Sequence, residues 1–125
     1  MLRPVDTAEL GRRGHTYTQC GGNGETFVIL TNFHLPEGLS PRQADLLLRV
    51  PSLFPAVHPD MFWVSPALCR TDGRTIPATQ VTENLVGRSW QRWSRHLRPD
   101  QWRPDRDDLG TYLDIVGQCL RAAVT

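Results

Sequence analysis

The chain has 125 residues and a formal net charge of +1, long enough for one domain with a single core. A hydrophobic share of 39% and a charged share of 22% describe an ordinary globular protein. A charge so near zero gives no overall field for nucleic acid or an anionic membrane. Cys20, Cys69 and Cys119 form an odd set without paired spacing, against a disulfide framework or a zinc ribbon. Met1-Leu2-Arg3-Pro4 has no apolar run behind it, so no secretory leader is expected. No apolar stretch is long enough to span a bilayer, and a reduced, cytoplasmic setting is the expectation.

Residues 1–14 carry Pro4, Gly11 and Gly14 and read as a flexible or short helical arm, with Asp6 as a cap and a turn from Thr7 to Leu10. A single domain then runs over residues 15–125. His15 to Cys20 is a first strand, and Gly21-Gly22-Asn23-Gly24 is a hairpin turn, because glycine and asparagine take positive φ cheaply. The same glycines lack the spacing of a phosphate-binding loop. Glu25 to Phe33 is the best strand in the chain, β-branched and turn-bounded. Ala44 to Val50 is a third, stopped by Pro51. Phe54-Pro55-Ala56-Val57-His58-Pro59 is an extended connector. Asp60 to Ser65 is a fourth strand, ended by Pro66. From Ala67 to Val86 the periodicity fails, and a structureless stretch of that length is often functional.

Gly87 to Pro104 then concentrates three of the four tryptophans and five arginines, a density foreign to a plain linker. It fits a loop pinned by indoles, a nucleic-acid surface or an active-site loop. Beyond it Asp105 can cap a helix, with Asp108 as a capping-box relative. Leu109, Tyr112, Leu113, Val116, Leu120 and Ala123 make one apolar stripe for that helix to lay on the sheet, with Cys119 at its border as buried filler. The order predicts an α+β fold: a four-stranded antiparallel meander, a long irregular loop, then a C-terminal helix.

Several residues in this order resemble the ubiquitin-conjugating enzyme superfamily. Phe54-Pro55-Ala56-Val57-His58-Pro59 before Met61-Phe62-Trp63 resembles that family's Tyr-Pro-x-x-Pro-Pro connector. Trp102-Arg103-Pro104 resembles the Trp-Ser-Pro ahead of the helix after the catalytic loop. Gly87-Arg88-x-Trp90-Gln91-Arg92-Trp93-Ser94-Arg95-His96 and Asp107-Asp108-Leu109-x-Thr111-Tyr112-Leu113 are similar to its small bacterial branch, the prokaryotic conjugating-enzyme family E. The likeness covers roughly residues 26 to 123. It implies the ubiquitin-conjugating fold and an acyl carrier of a bacterial ubiquitin-like conjugation pathway. No cofactor is expected, and the four histidines are scattered without a ligand-spaced pair, which argues against a metal site. The implied partners are a ubiquitin-like protein, a ThiF-like adenylating enzyme and a JAB-type or other processing peptidase, not a membrane.

The departures are as informative. The family's His-Pro-Asn triplet is missing, and His58-Pro59-Asp60 stands instead where the family has its Pro-Pro. No cysteine occupies the family's nucleophile position; the family's spacing back from Trp102 lands on Ser94. A serine needs a base to accept its proton. His96 is the nearby group with a suitable ordinary pKa, and residues two apart in an extended loop project to the same side. Arg95 or backbone N–H groups would stabilise an oxyanion. In the alternative, Ser94 and His96 are loop scaffold and the protein is an inactive adaptor for the ubiquitin-like protein or its activating enzyme.

Cys69, beside Arg70, is the rival nucleophile. Trp90, Trp93 and Trp102 are expected to support the loop. The five arginines among them suggest single-strand nucleic-acid binding, which Asp100, Asp105, Asp107 and Asp108 dilute. All fourteen basic residues are arginine. Genomic bias explains that, and so does a protein that gains by offering activated acyl groups no amine.

Overall fold

The structure, a computed structural model, describes residues 2–125. Helix α1 (Pro4–Arg12) is followed by strands β1 (Thr16–Gly22), β2 (Glu25–His34), β3 (Leu39–Ser40), β4 (Gln43–Val50), β5 (Phe62–Ser65), β6 (Cys69–Arg70), β7 (Thr82–Leu85) and β8 (Arg88–Trp93). A 3₁₀ turn at Pro99–Gln101 and helix α2 (Leu109–Ala122) complete it. The fold is α+β, an antiparallel sheet with a C-terminal helix, compatible with the ubiquitin-conjugating architecture.

The main sheet has the order β1-β2-β4-β5-β8-β7, and β3 pairs with β6 in a separate ribbon. The expected four-strand meander is its first two-thirds. Asn23 and Gly24 join β1 to β2 with φ of 54° and 82°, the doubly positive turn that matches the twist of a tight hairpin. The sheet is larger than the meander because the stretch expected to be structureless contains β7, besides the β6 of the separate ribbon, and because the tryptophan segment opens as a strand. β8 pairs with β5 on one side and β7 on the other. The connector before β5 also differs from expectation. It turns over residues 52–56, where Phe54 N–H donates to Pro51 O at 3.0 Å and Val57 N–H to Leu53 O at 3.2 Å.

Strand alternation sorts the apolar side chains onto two faces. Val28, Leu30, Leu46, Leu48, Phe62, Val64 and Trp93 join Leu10 of α1 and the stripe of α2 in the principal core. Leu47, Trp63 and Trp90 form a second cluster on the opposite face, to which neither helix contributes. The stacked guanidinium groups of Arg49, 4.9 Å from the Trp63 ring centroid, and Arg88, 4.5 Å from that of Trp90, cover it. Arginine stems and flat heads can shield apolar surface while staying wet.

The expected arm is a nine-residue helix docked on α2. Asp6 is not its cap but lies in its first turn, fully buried. Its carboxylate accepts from Arg3 N (3.2 Å), Arg3 Nε (2.9 Å) and Leu109 N (3.0 Å). One buried acid thus satisfies free N–H groups at the starts of both helices. Gly110 lets the helices approach, since a methyl there would collide with Glu9 Cγ. Asp108, not Asp105, caps α2: it accepts Thr111 N–H at 3.0 Å while Thr111 Oγ1 accepts Asp108 N–H at 2.7 Å. Asp107 is spent on the preceding turn, accepting Arg103 N–H at 2.7 Å. Burial alone would raise the Asp107 carboxyl, but its bonds from Arg106 and from that N–H outweigh burial and hold it below the usual range.

Candidate functional site

β8 ends at Trp93, and the chain leaves the sheet through Ser94, Arg95 and His96. Trp93 fixes that exit. It is fully buried, stacks on Phe62 with centroids 5.4 Å apart, and donates from Nε1 to Gln91 Oε1 at 3.0 Å. The ladder with β5 continues past the strand end, with Met61 N–H donating to Arg95 O at 3.2 Å. On the other flank Ser94 N–H donates to Ala78 O at 3.0 Å. The Ser94 backbone is therefore held from both sides.

Side chains along the exit differ in their commitments. Ser94 is half-buried, and its hydroxyl has no hydrogen-bond partner among the described residues. The half-buried Arg95 guanidinium lies 5.0 Å from the Trp93 ring centroid and reaches Ser94 O at 3.3 Å. It has no carboxylate partner among the described residues, whereas Arg92 and Arg98 pair with Glu83 and Asp100. His96 is exposed and does not bond to Ser94; its Nδ1 lies 2.8 Å from Asp60 Oδ1. A cavity of about 20 Å³ lies behind Arg95 and His96, closed by Phe62, Tyr112 and Cys119 among others. Burial pushes the Cys119 thiol up, against the opposing pull of the Arg95 charge. Burial also raises the Tyr112 phenol, and the Asp60 charge adds to it.

The remaining sequence candidates fall elsewhere. Cys69 is exposed on the β3–β6 ribbon, its Sγ 3.8 Å from Ser40 O. It shares no hydrogen bond with Ser94, Arg95 or His96 among the described residues. Arg70 is committed to Asp72 at 2.7 Å and to Ala123 O at 2.8 Å. Trp90 faces the opposite side of the sheet, donating to Leu85 O at 2.8 Å. Trp102 pins the far end of the loop: buried, it donates to Pro55 O at 2.8 Å and meets Tyr112 edge-on. Among the described residues no group of three or more His, Cys, Asp or Glu could hold a metal, and no helix is long and apolar enough to cross a membrane.

Asp60 is the residue that sequence reasoning missed. In the sequence it stands at the start of the fourth strand and at the end of His58-Pro59-Asp60; in the fold it faces His96 across the sheet end. The pairing of Phe62 with Trp93 carries Asp60 toward residue 95 by antiparallel register. Nothing in the sequence announces that β5 and β8 are neighbours, so the signal existed only through the topology.

A sheet of this order under a C-terminal helix, with an exit loop pinned between two buried tryptophans, defines an α+β fold compatible with the ubiquitin-conjugating kind. The chain matches the family described as Prokaryotic E2 family E over residues 2–123, nearly its whole length, and it belongs to that family. No curated protein and no solved structure matches it. Membership gives it the general role of an E2-like conjugating transferase, one that works with a ubiquitin-like protein and an activating enzyme.

Proposed function

We propose that the protein is an acyl carrier in a bacterial ubiquitin-like conjugation pathway. It accepts the ubiquitin-like C-terminus from a ThiF-like activating enzyme as an oxyester on Ser94 and passes it to an amine. The observation that carries this reading is the Ser94 hydroxyl, without a hydrogen-bond partner among the described residues, held at the end of β8 beside a half-buried guanidinium that has no carboxylate partner among them, and two residues from His96. His96 is the base for the hydroxyl, and Arg95 is the cation nearest the developing oxyanion. An ester is less reactive toward amines than a thioester, so the acceptor must be held close.

A second reading, an inactive adaptor that binds the ubiquitin-like protein or the activating enzyme, is favoured by one observation: Ser94 and His96 share no hydrogen bond. Intact mass of the protein incubated with the ubiquitin-like protein, adenylating enzyme and ATP separates the two. An adduct that survives thiol reductant, is released by hydroxylamine and is lost in Ser94→Ala supports the oxyester carrier. A reductant-sensitive adduct lost in Cys69→Ala moves the chemistry to Cys69. Binding without any adduct leaves the adaptor.

A further inference from the structure

Four histidines sit in four different settings. His15 stacks on Phe33, His34 lies beside the Gln43 amide, and His58 Nδ1 is 2.6 Å from Pro59 O. Only His96 faces a carboxylate among the described residues, with Nδ1 2.8 Å from Asp60 Oδ1. The partners are 36 residues apart in sequence, so the contact is made by the fold rather than by a local turn.

The backbone that delivers Asp60 is held by two hydrogen bonds at Met61. Met61 adopts φ of 62°, a left-handed conformation uncommon for a residue other than glycine, and such outliers persist where surrounding contacts over-determine them. Here Met61 N–H donates to Arg95 O at 3.2 Å, and Met61 O accepts the Tyr112 hydroxyl from α2 at 2.7 Å. The dipeptides Asp60-Met61 and Arg95-His96 are thereby clamped edge to edge, and the two side chains meet outside the clamp. The pair itself is open to water, with side-chain exposures of 62% for His96 and 47% for Asp60. A pair that open contributes little to holding a fold together. What it does fix is which imidazole nitrogen carries the proton.

We propose that Asp60 is a positioning residue for His96: its carboxylate keeps the proton on Nδ1, so that the Nε2 lone pair is the base at the loop. This rests on the reading of His96 as the base for Ser94. In the step, the Ser94 hydroxyl proton passes to Nε2 as Oγ bonds to the acyl carbonyl carbon of a thioester-linked ubiquitin-like C-terminus. The carbon–sulfur bond then breaks, and the departing thiolate leaves as a thiol with the proton from Nε2. With the opposite tautomer Nε2 already bears a hydrogen, and no lone pair is available there.

The test is long-range ¹H–¹⁵N correlation of the ¹⁵N-labelled full chain at alkaline pH, comparing wild type with Asp60→Ala and Asp60→Glu. The wild type is expected to show His96 as the Nδ1–H form, Asp60→Ala to shift it toward Nε2–H, and Asp60→Glu to restore part of the signal. Melting temperature should stay at the wild-type value in both variants. In single-turnover transfer from the thioester-charged activating enzyme, Asp60→Ala should slow formation of the Ser94 adduct about 10²-fold at saturation, the scale of a positioned base, with half-saturation unchanged. An Nε2–H form in the wild type, or an unchanged rate in Asp60→Ala, overturns the proposal. The tautomer measurement needs no partner protein. An Asp60-dependent Nδ1–H form without any Ser94 adduct therefore upholds the hold of Asp60 on His96 and removes Ser94 as carrier.

Discussion

Replacing Asp6 with alanine tests the join between the two helices. The carboxylate is fully buried and accepts Leu109 N–H, Arg3 N–H and the Arg3 guanidinium. Losing it strands the Leu109 N–H in a buried position, a cost of about 1–3 kcal/mol. Loss of the acceptor for Arg3 N–H at the start of α1 adds about 1 kcal/mol, the usual weight of a helix-start acceptor. The Arg3 side chain is one-third exposed at 34%, so its guanidinium rehydrates and the ion pair adds little. Relief from keeping a buried charge offsets part of the sum. The net expectation is a loss of about 2–3 kcal/mol, taken from these terms. For 125 residues, an unfolding entropy of about 2.1 cal/mol/K per residue converts that loss to a fall in Tm of roughly 8–12 °C. Asp6→Asn keeps one acceptor oxygen and should fall about half as far. Thermal melts followed by circular dichroism give Tm, and native-state hydrogen exchange should show the Leu109 amide opening faster in Asp6→Ala than the sheet amides do. A Tm within about 2 °C of wild type, far below the shift expected from that entropy, would refute the reasoning.

Three further outcomes follow from the packing. Asp108→Ala removes the α2 cap that accepts Thr111 N–H and should cost about 1 kcal/mol in chemical denaturation; no change in midpoint would mean that Asp107 or water takes over. Trp102→Phe deletes the bond to Pro55 O and part of a buried ring, with an expected loss of about 2 kcal/mol and faster proteolysis between residues 94 and 108. Proteolysis at the wild-type rate would remove Trp102 as the anchor of that loop. His15 has its pKa lowered by burial and by the Arg13 charge, so the unfolded chain binds its proton more readily. Its contribution is complete above the ordinary value and is lost as pH falls through about 6.5 toward the lower folded value. His15→Gln should flatten the stability profile between about pH 7.5 and 5, and an unaltered slope would place the effect elsewhere.

The elements that the sequence made legible are those with one buried face. Val28 and Leu30 in β2, and the stripe from Leu109 to Leu120 in α2, repeat at strand and helix periods because one side meets the core. β8 escaped notice for the opposite reason. Trp90 points to the outer cluster and Trp93 to the inner one, each beside a polar neighbour on its own face, so no alternation of apolar and polar residues marks the strand. At the start of α2 the sequence offered several equivalent acids. Asp108 has Thr111 three residues on, which completes a reciprocal pair, while Asp107 is drawn back to Arg103. The likeness to conjugating enzymes pointed to the family that the match over residues 2–123 shows. The Asp60–His96 contact depended on strand order, which local patterns do not encode.

Helix α1 has an order of assembly written into its contacts. Asp6 reaches Leu109 across 103 residues, and Arg13 reaches Asp114 across 101. A nine-residue helix is too short to persist alone in water. During synthesis, therefore, α1 settles late, because its docking surface does not exist until α2 has emerged. Until then the core face of the sheet has neither helix to cover it.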